Sequence, residues 1–233
     1  MSVPSLLSIF GNSGGEDDPV YVDDVFSAFV YEGNGGTKTI NNGIDLSGEG
    51  GLVWIKNRGP NAANHALYDT ARGVRNFLYS NTANQQNTAN AGSGLTAFNS
   101  DGYTLGPGTS IGNTNGEAYV GWSWDVGSST VTNTNGTLSA QVRANPSAGI
   151  SISSWSGSSS SATVGHGLGV APEIYIVKDR GNGYNWAFVT TLLANTTDYM
   201  VLNTYSTTAA SFNVAAPTST TFVAGMSANS NYI

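Results

Sequence analysis

The chain carries two versions of one passage, so its fold must be one that a unit of about a hundred residues can build and then build again. Gly51-Leu52-Val53-Trp54-Ile55-Lys56-Asn57-Arg58-Gly59 is answered by Glu173-Ile174-Tyr175-Ile176-Val177-Lys178-Asp179-Arg180-Gly181. Asn64-His65-Ala66-Leu67 then finds its counterpart in Asn185-Trp186-Ala187-Phe188, and Ala97-Phe98-Asn99 in Ser211-Phe212-Asn213. Last, Ala118-Tyr119-Val120 corresponds to Asn231-Tyr232-Ile233. In the first copy that strand runs on through Gly121-Trp122-Ser123-Trp124. The second copy has no such continuation, which suggests either a longer parent protein or a last strand supplied from elsewhere.

Turn signals set the secondary structure of the unit. Asn34-Gly35, Asn42-Gly43, Asp101-Gly102, Asn115-Gly116, Asn135-Gly136 and Asn182-Gly183 punctuate short alternating runs. Such pairs tolerate the positive φ that tight hairpin turns need. The runs Phe26–Tyr31, Leu52–Asn57 and Tyr119–Val126 read as strands. Within the last, Val120, Trp122, Trp124 and Val126 share a face, and their bulk marks that face as the core side. Leu52–Ile55 and Ile174–Val177 are apolar on both faces, which predicts central strands. From Tyr68 to Tyr79, Gly73 and the β-rich surroundings favour a loop and a strand over a helix.

The expected fold is all-β, with two tandem β-sandwich units of jelly-roll or lectin-like type behind an extended N-terminal anchoring segment. The boundaries fall at 1–25 for the docking segment, 26–128 for the first unit and 149–233 for the second, apparently incomplete one. Residues 129–148, rich in Ser, Thr and Asn, read as a connection with room for one hairpin. In the docking segment, apolar Leu6, Leu7, Ile9 and Phe10 precede a glycine-rich hinge and acidic Glu16-Asp17-Asp18. That order suits a chain end that seats on a partner while the body stays free.

Composition removes several classes of function. Charged residues make up 10% of the chain, and Gly, Asn, Ser and Thr take their place. A surface hydrated without charge is common on extracellular and virion proteins. A net charge of −7 with eight unclustered Lys and Arg gives no purchase on a phosphate backbone, so no nucleic-acid partner is expected. With no cysteine, neither disulfides nor thiolate metal sites can form. No apolar run is long enough to span a bilayer as a helix. Leu6–Phe10 lacks the basic leader of a signal peptide. Such a chain suits assembly in a host cytoplasm and release by lysis.

The residue types that do chemistry are scattered. His65 is matched by Trp186 in the second copy, as a packing or surface aromatic would be, and His166 sits in the glycine turn Gly165–Gly169. Glu32, Asp45, Glu49, Glu117, Asp125 and Glu173 are the candidate acids for a glycosidase, but most lie beside turn glycines. The groups Glu16-Asp17-Asp18 and Asp23-Asp24 lack the spacing of a calcium loop. The glycines at 165, 167 and 169 precede a strand and serve turns, not a phosphate. No catalytic residue, metal or cofactor is expected. Trp54, Trp155 and Trp186 are candidate surfaces for stacking on sugar rings. Lys56, Arg58, Lys178 and Arg180 either form inter-strand or inter-subunit ion pairs, or act as edge charges against aggregation.

Several ordered phrases resemble repeat units in tail-fibre and virion structural proteins of marine bacteriophages, including cyanophages. They are Gly50–Arg58, Leu67-Tyr68-Asp69-Thr70-Ala71-Arg72-Gly73, Phe98–Gly106, Ala118–Trp124 and Val164–Glu173. The second copy departs from the pattern in lacking the Asp-Thr-x-Arg-Gly motif and the Asp-Gly turn. The resemblance implies a non-enzymatic virion component, most simply a tail fibre held through its N-terminus to a tail adaptor or nozzle, homotrimeric, and engaged in host attachment to a surface glycan or protein. A capsid decoration or head-fibre protein bound to the shell, and a carbohydrate-binding or carbohydrate-cleaving tailspike, are the alternatives.

Overall fold

The computed structural model describes residues 20–61, 63–107, 111–158, 160–193, 198–204 and 215–224. The docking residues Leu6, Leu7, Ile9 and Phe10, and the repeat matches at 211–213 and 231–233, lie outside the described residues. The described chain is all-β, apart from one short helical turn, α1 (Val22–Val25).

The first half holds β1 (Phe26–Glu32), β2 (Lys38–Asn41), β3 (Gly51–Asn57), β4 (Ala66–Asp69), β5 (Asn76–Tyr79), β6 (Asn87–Thr88), β7 (Leu95–Asn99), β8 (Gly102–Leu105) and β9 (Ala118–Asp125). One sheet has the order β1-β9-β3-β4-β5-β6 and the other the order β2-β8-β7, all antiparallel. Both sheets contribute to one core: Ile40, Tyr103 and Leu105 from the small sheet meet Val53, Ile55, Tyr68 and Tyr119 from the large one. The second half holds β10 (Thr130–Asn133), β11 (Ala140–Asn145), β12 (Ile150–Trp155), β13 (Thr163–Gly165), β14 (Ile174–Val177), β15 (Ala187–Thr190), β16 (Met200–Val201) and β17 (Thr221–Val223). Its sheets are β10-β11-β12, β13-β17 and β14-β15-β16. They share a second core of Val142, Trp155, Val164, Tyr175, Val189 and Phe222. The stretch 129–148, expected as a connection with room for one hairpin, holds the antiparallel pair β10 and β11, and Ala140 and Val142 belong to the second core.

The duplication extends to single hydrogen bonds. Gly59 N donates to Asn57 Oδ1 at 2.6 Å, and Gly181 N to Asp179 Oδ1 at 2.7 Å. His65 N and Trp186 N each donate to an asparagine side chain, Asn81 and Asn203, at 2.8 Å. Thr70 N reaches Gly51 O as Thr191 N reaches Glu173 O, both at 3.0 Å. Asn42 Oδ1 accepts from Ile44 N, and His166 Nδ1 accepts from Leu168 N, both at 3.2 Å. Asn42 N donates to Asp101 O, and His166 N to Thr220 O. A strand, its turn and the returning strand are thus the same object twice.

The aromatic strand β9 faces the opposite way from the sequence expectation. Tyr119, Gly121 and Ser123 are buried towards the core, while Val120, Trp122 and Trp124 lie half-buried on the outer face. The reason is steric. A Cβ on Gly121 would stand 2.1 Å from the Tyr103 hydroxyl, so only glycine admits the opposite sheet so closely. Ser123 accepts a 2.8 Å hydrogen bond from Asn42 Nδ2. Outside, Trp124 packs on Phe26 at 5.1 Å and Trp122 meets Trp54 edge-on at 5.9 Å. The strand β3 is central, as expected, between β9 and β4. Its counterpart β14 is an edge strand among the described residues.

Candidate functional site

A cavity of about 620 Å³ lies between β12 and β14 and reaches the outer face of β3, β4 and β5. It brings together all three tryptophans marked from sequence, Trp54, Trp155 and Trp186, and also Lys178 and Arg180. Lys56 and Arg58 are not on its wall.

The three indoles play different parts. Trp54 projects from the outer face of β3, and its Nε1 is buried without a hydrogen-bond partner. Trp155 ends β12, is 7% exposed and packs edge-on against Phe222 at 5.6 Å. Its Nε1 is also unpartnered. Trp186 precedes β15 and joins the two halves: its Nε1 donates to Tyr79 O at 2.8 Å and to Thr82 O at 3.1 Å. A second bond between the halves runs from Gln86 N to Arg180 O at 2.9 Å.

The two lysines of these strand ends close turns through their ammonium groups. Lys178 Nζ donates to Asp179 O at 2.6 Å and Asn182 O at 3.0 Å, and Lys56 Nζ donates to Asn57 O. Burial draws the Lys178 ammonium down to about 8, against the opposing pull of Asp179. Arg180 is lowered by burial and by the neighbouring Arg72, with Asp69 acting the other way. Arg58 is exposed on the strand-end turn, where its N–H donates to Ala118 O at 2.7 Å. Among the described residues the ion pair is Arg72 Nε to Asp69 Oδ2 at 2.5 Å, with both side chains almost wholly buried. Sequence reasoning did not place that pair in a site, although both residues belong to the Asp-Thr-x-Arg-Gly phrase. It also missed Ser80 and Tyr175, whose hydroxyls line the cavity without a partner. Nothing in a lone Ser or Tyr announces that.

Asp45 and Asp125 among the candidate acids, and His166, hold backbone in place. Asp45 Oδ1 accepts from Ser47 N and Gly48 N, and these bonds, the Gly48 one first, lower its carboxyl below the usual value. Asp125 accepts from Gly127 N and Asn145 Nδ2, each at 2.7 Å. Glu117 accepts from Asn57 and Asn61 and lines a smaller cavity of about 350 Å³ beside Tyr79, where it is the one carboxylate. Glu32, Glu49 and Glu173 are exposed. His166 accepts through Nδ1, so Nε2 carries the proton and donates to Thr218 O at 3.2 Å. Burial and the nearby Lys56 charge lower His65. Among the described residues no group of three His, Asp or Glu is placed to hold a metal ion. No helix among them is long and apolar enough to cross a membrane.

No curated protein and no solved structure matches the chain. One family does, over residues 22–233, which takes in both halves and the joint between them. The chain accordingly belongs to the family defined by DUF7483, a domain of unknown function.

Proposed function

We propose that the chain is a non-enzymatic structural component of a bacteriophage virion, a tail fibre carried on the tail by its N-terminal segment. Its two sandwiches are successive jelly-roll-type units of the shaft, and it works as a homotrimer in host attachment. The observation that carries this reading is the duplication of whole hydrogen-bonded turns, joined through Trp186. A repeated unit with a built joint suits an extended array better than a unique reaction centre. Asp45, Asp125 and His166 serve as turn fasteners, which suits a structural role, and the weakly charged surface fits a particle that meets the outside.

Immunogold electron microscopy of purified particles with antibodies to residues 26–233 tests the placement. Gold on the tail fibres is the expected result. Gold on the head would move the protein to capsid decoration, and unlabelled particles would end both readings. A tailspike reading would need glycan turnover that mutation of Glu32, Asp45 or Glu117 abolishes.

A further inference from the structure

Buried polar atoms without a partner are uncommon in folded proteins, and each one calls for a cause. Among the described residues nine side-chain nitrogen or oxygen atoms are in that state, and six of them belong to residues on the wall of the cavity of about 620 Å³. They are Trp54 Nε1, Arg72 Nη1, the Ser80 and Tyr175 hydroxyls, Trp155 Nε1 and Arg180 Nε. Around them the wall is mostly apolar, as at Leu67 and Leu78 on the outer face of the first half.

The set has a direction. Indole and guanidinium N–H groups can only donate, and a hydroxyl can donate too. Six donors therefore face the same lack of an acceptor. Charge points the same way. Asp69 and Glu173 stand against Arg72, Lys178 and Arg180, which leaves the wall net positive in a chain whose net charge is −7. Arg72 is paired with Asp69, whereas Arg180 makes no ion pair among the described residues. An anion rich in oxygen answers both features.

The donors are also spread out. They come from β3 and β14, from the end of β12, and from the turns that follow β4, β5 and β14. A fatty carboxylate carries its oxygens at one end and would leave most of these donors unmet. A saccharide carries oxygen all round its ring and offers apolar C–H faces to the wall. Small-ligand sites have this order of volume, and this mix of apolar lining with a few placed polar groups. Val170 and Ile174, 64% and 50% exposed, give the wall an open rim.

We propose that this cavity binds an acidic saccharide of the host surface, with its carboxylate or sulfate on Arg180 and its ring oxygens on the Trp54 indole N–H and the Ser80 hydroxyl. Trp54 and Ser80 belong to the first half and Arg180 to the second, so the ligand bridges the joint that Trp186 makes. The cavity is then the attachment surface of the fibre, and in that respect it rests on the reading of the chain as a fibre.

Isothermal titration calorimetry of the full chain tests the site, with galacturonate, glucuronate, N-acetylneuraminate and a galactose sulfate set beside neutral galactose and glucose. At least one acidic sugar should bind roughly tenfold more tightly than either neutral one, a gap that a single charge-assisted hydrogen bond can supply. Arg180→Gln should cancel that preference. Trp54→Phe keeps a ring and drops the donor, and should weaken the preferred sugar roughly tenfold. Arg58→Gln, off the wall, should change neither. No binding of any acidic sugar, equal binding of acidic and neutral ones, or a preference that survives Arg180→Gln overturns the proposal. Decanoate bound in their place overturns it as well. If Arg180→Gln loses its strand content by circular dichroism, Trp54→Phe decides alone, and an unchanged affinity there overturns the assignment. The two readings fail separately: gold on the tail fibres with no sugar bound ends this site alone, and sugar binding with unlabelled particles ends the fibre reading alone.

Discussion

The two halves of the molecule share turns and end-of-strand fasteners, and among the described residues they differ in where β3 and β14 sit, β3 inside its sheet and β14 at the end of one. In the first, β9 closes the sheet, and Tyr119, Tyr68 and Tyr103 are fully buried against one another's neighbours. In the second, β12 and β14 each end a sheet among the described residues, and Trp155, Tyr175 and Phe222 pack together beside the cavity.

That contrast can be tested first where it is steepest. Tyr119→Ala removes a fully buried ring stacked on Tyr31 and should cost about 3–5 kcal/mol in urea titration. Tyr175→Ala, at the edge of the hollow, should cost about 2 kcal/mol, because its surroundings can close over the loss. Equal costs would mean that the two cores are equally closed. Next in size, Trp186→Phe strips the donor from two carbonyls of the first half and should cost about 1–3 kcal/mol. It should also split one calorimetric transition into two, one per half.

A smaller effect tests whether the turns are interchangeable. His166→Asn substitutes the residue that does the same work at position 42, and should shift stability by under about 0.5 kcal/mol, while His166→Ala should cost about 1 kcal/mol. An asparagine no better than alanine would separate the two turns.

The smallest effect is a slope. Lys178 has a folded value of about 8, below its ordinary one, so between there and about 10 the unfolded chain binds the extra proton. Stability should therefore rise with pH across that window, having been held down below it. The buried tyrosines, whose values are raised, oppose any further gain above about 10. Urea midpoints at two pH values inside the window should differ for the native chain and converge for Lys178→Met. A native midpoint that does not move would sink the assignment.

The strands and their repetition were legible because Val53, Ile55, Tyr175 and Val177 alternate against half-exposed neighbours and end on the same charged turn. The face of β9 was not. Two tryptophans outweighed a glycine in the reading, yet Gly121 is what allows Tyr103 to come close, and the bulk of Trp122 and Trp124 is spent outside on Trp54 and Phe26. An interior glycine in a strand was the signal to follow. The stretch 129–148 left room for the hairpin that β10 and β11 form, but with β10 almost wholly exposed nothing in it announced that Ala140 and Val142 join the second core. Of the candidate site, the tryptophans and the two cations of the second half could be named, but their meeting depends on contacts between distant segments that no local pattern encodes.

The joint at Trp186 has a mechanical meaning. One pinned atom would let the halves swivel about it like a ball in a socket. The bond from Gln86 N to Arg180 O sets a second pin, and two pins reduce that swivel to a hinge about the line joining them. Tension applied to one half is handed to the other through the indole of Trp186 and the backbone at Arg180.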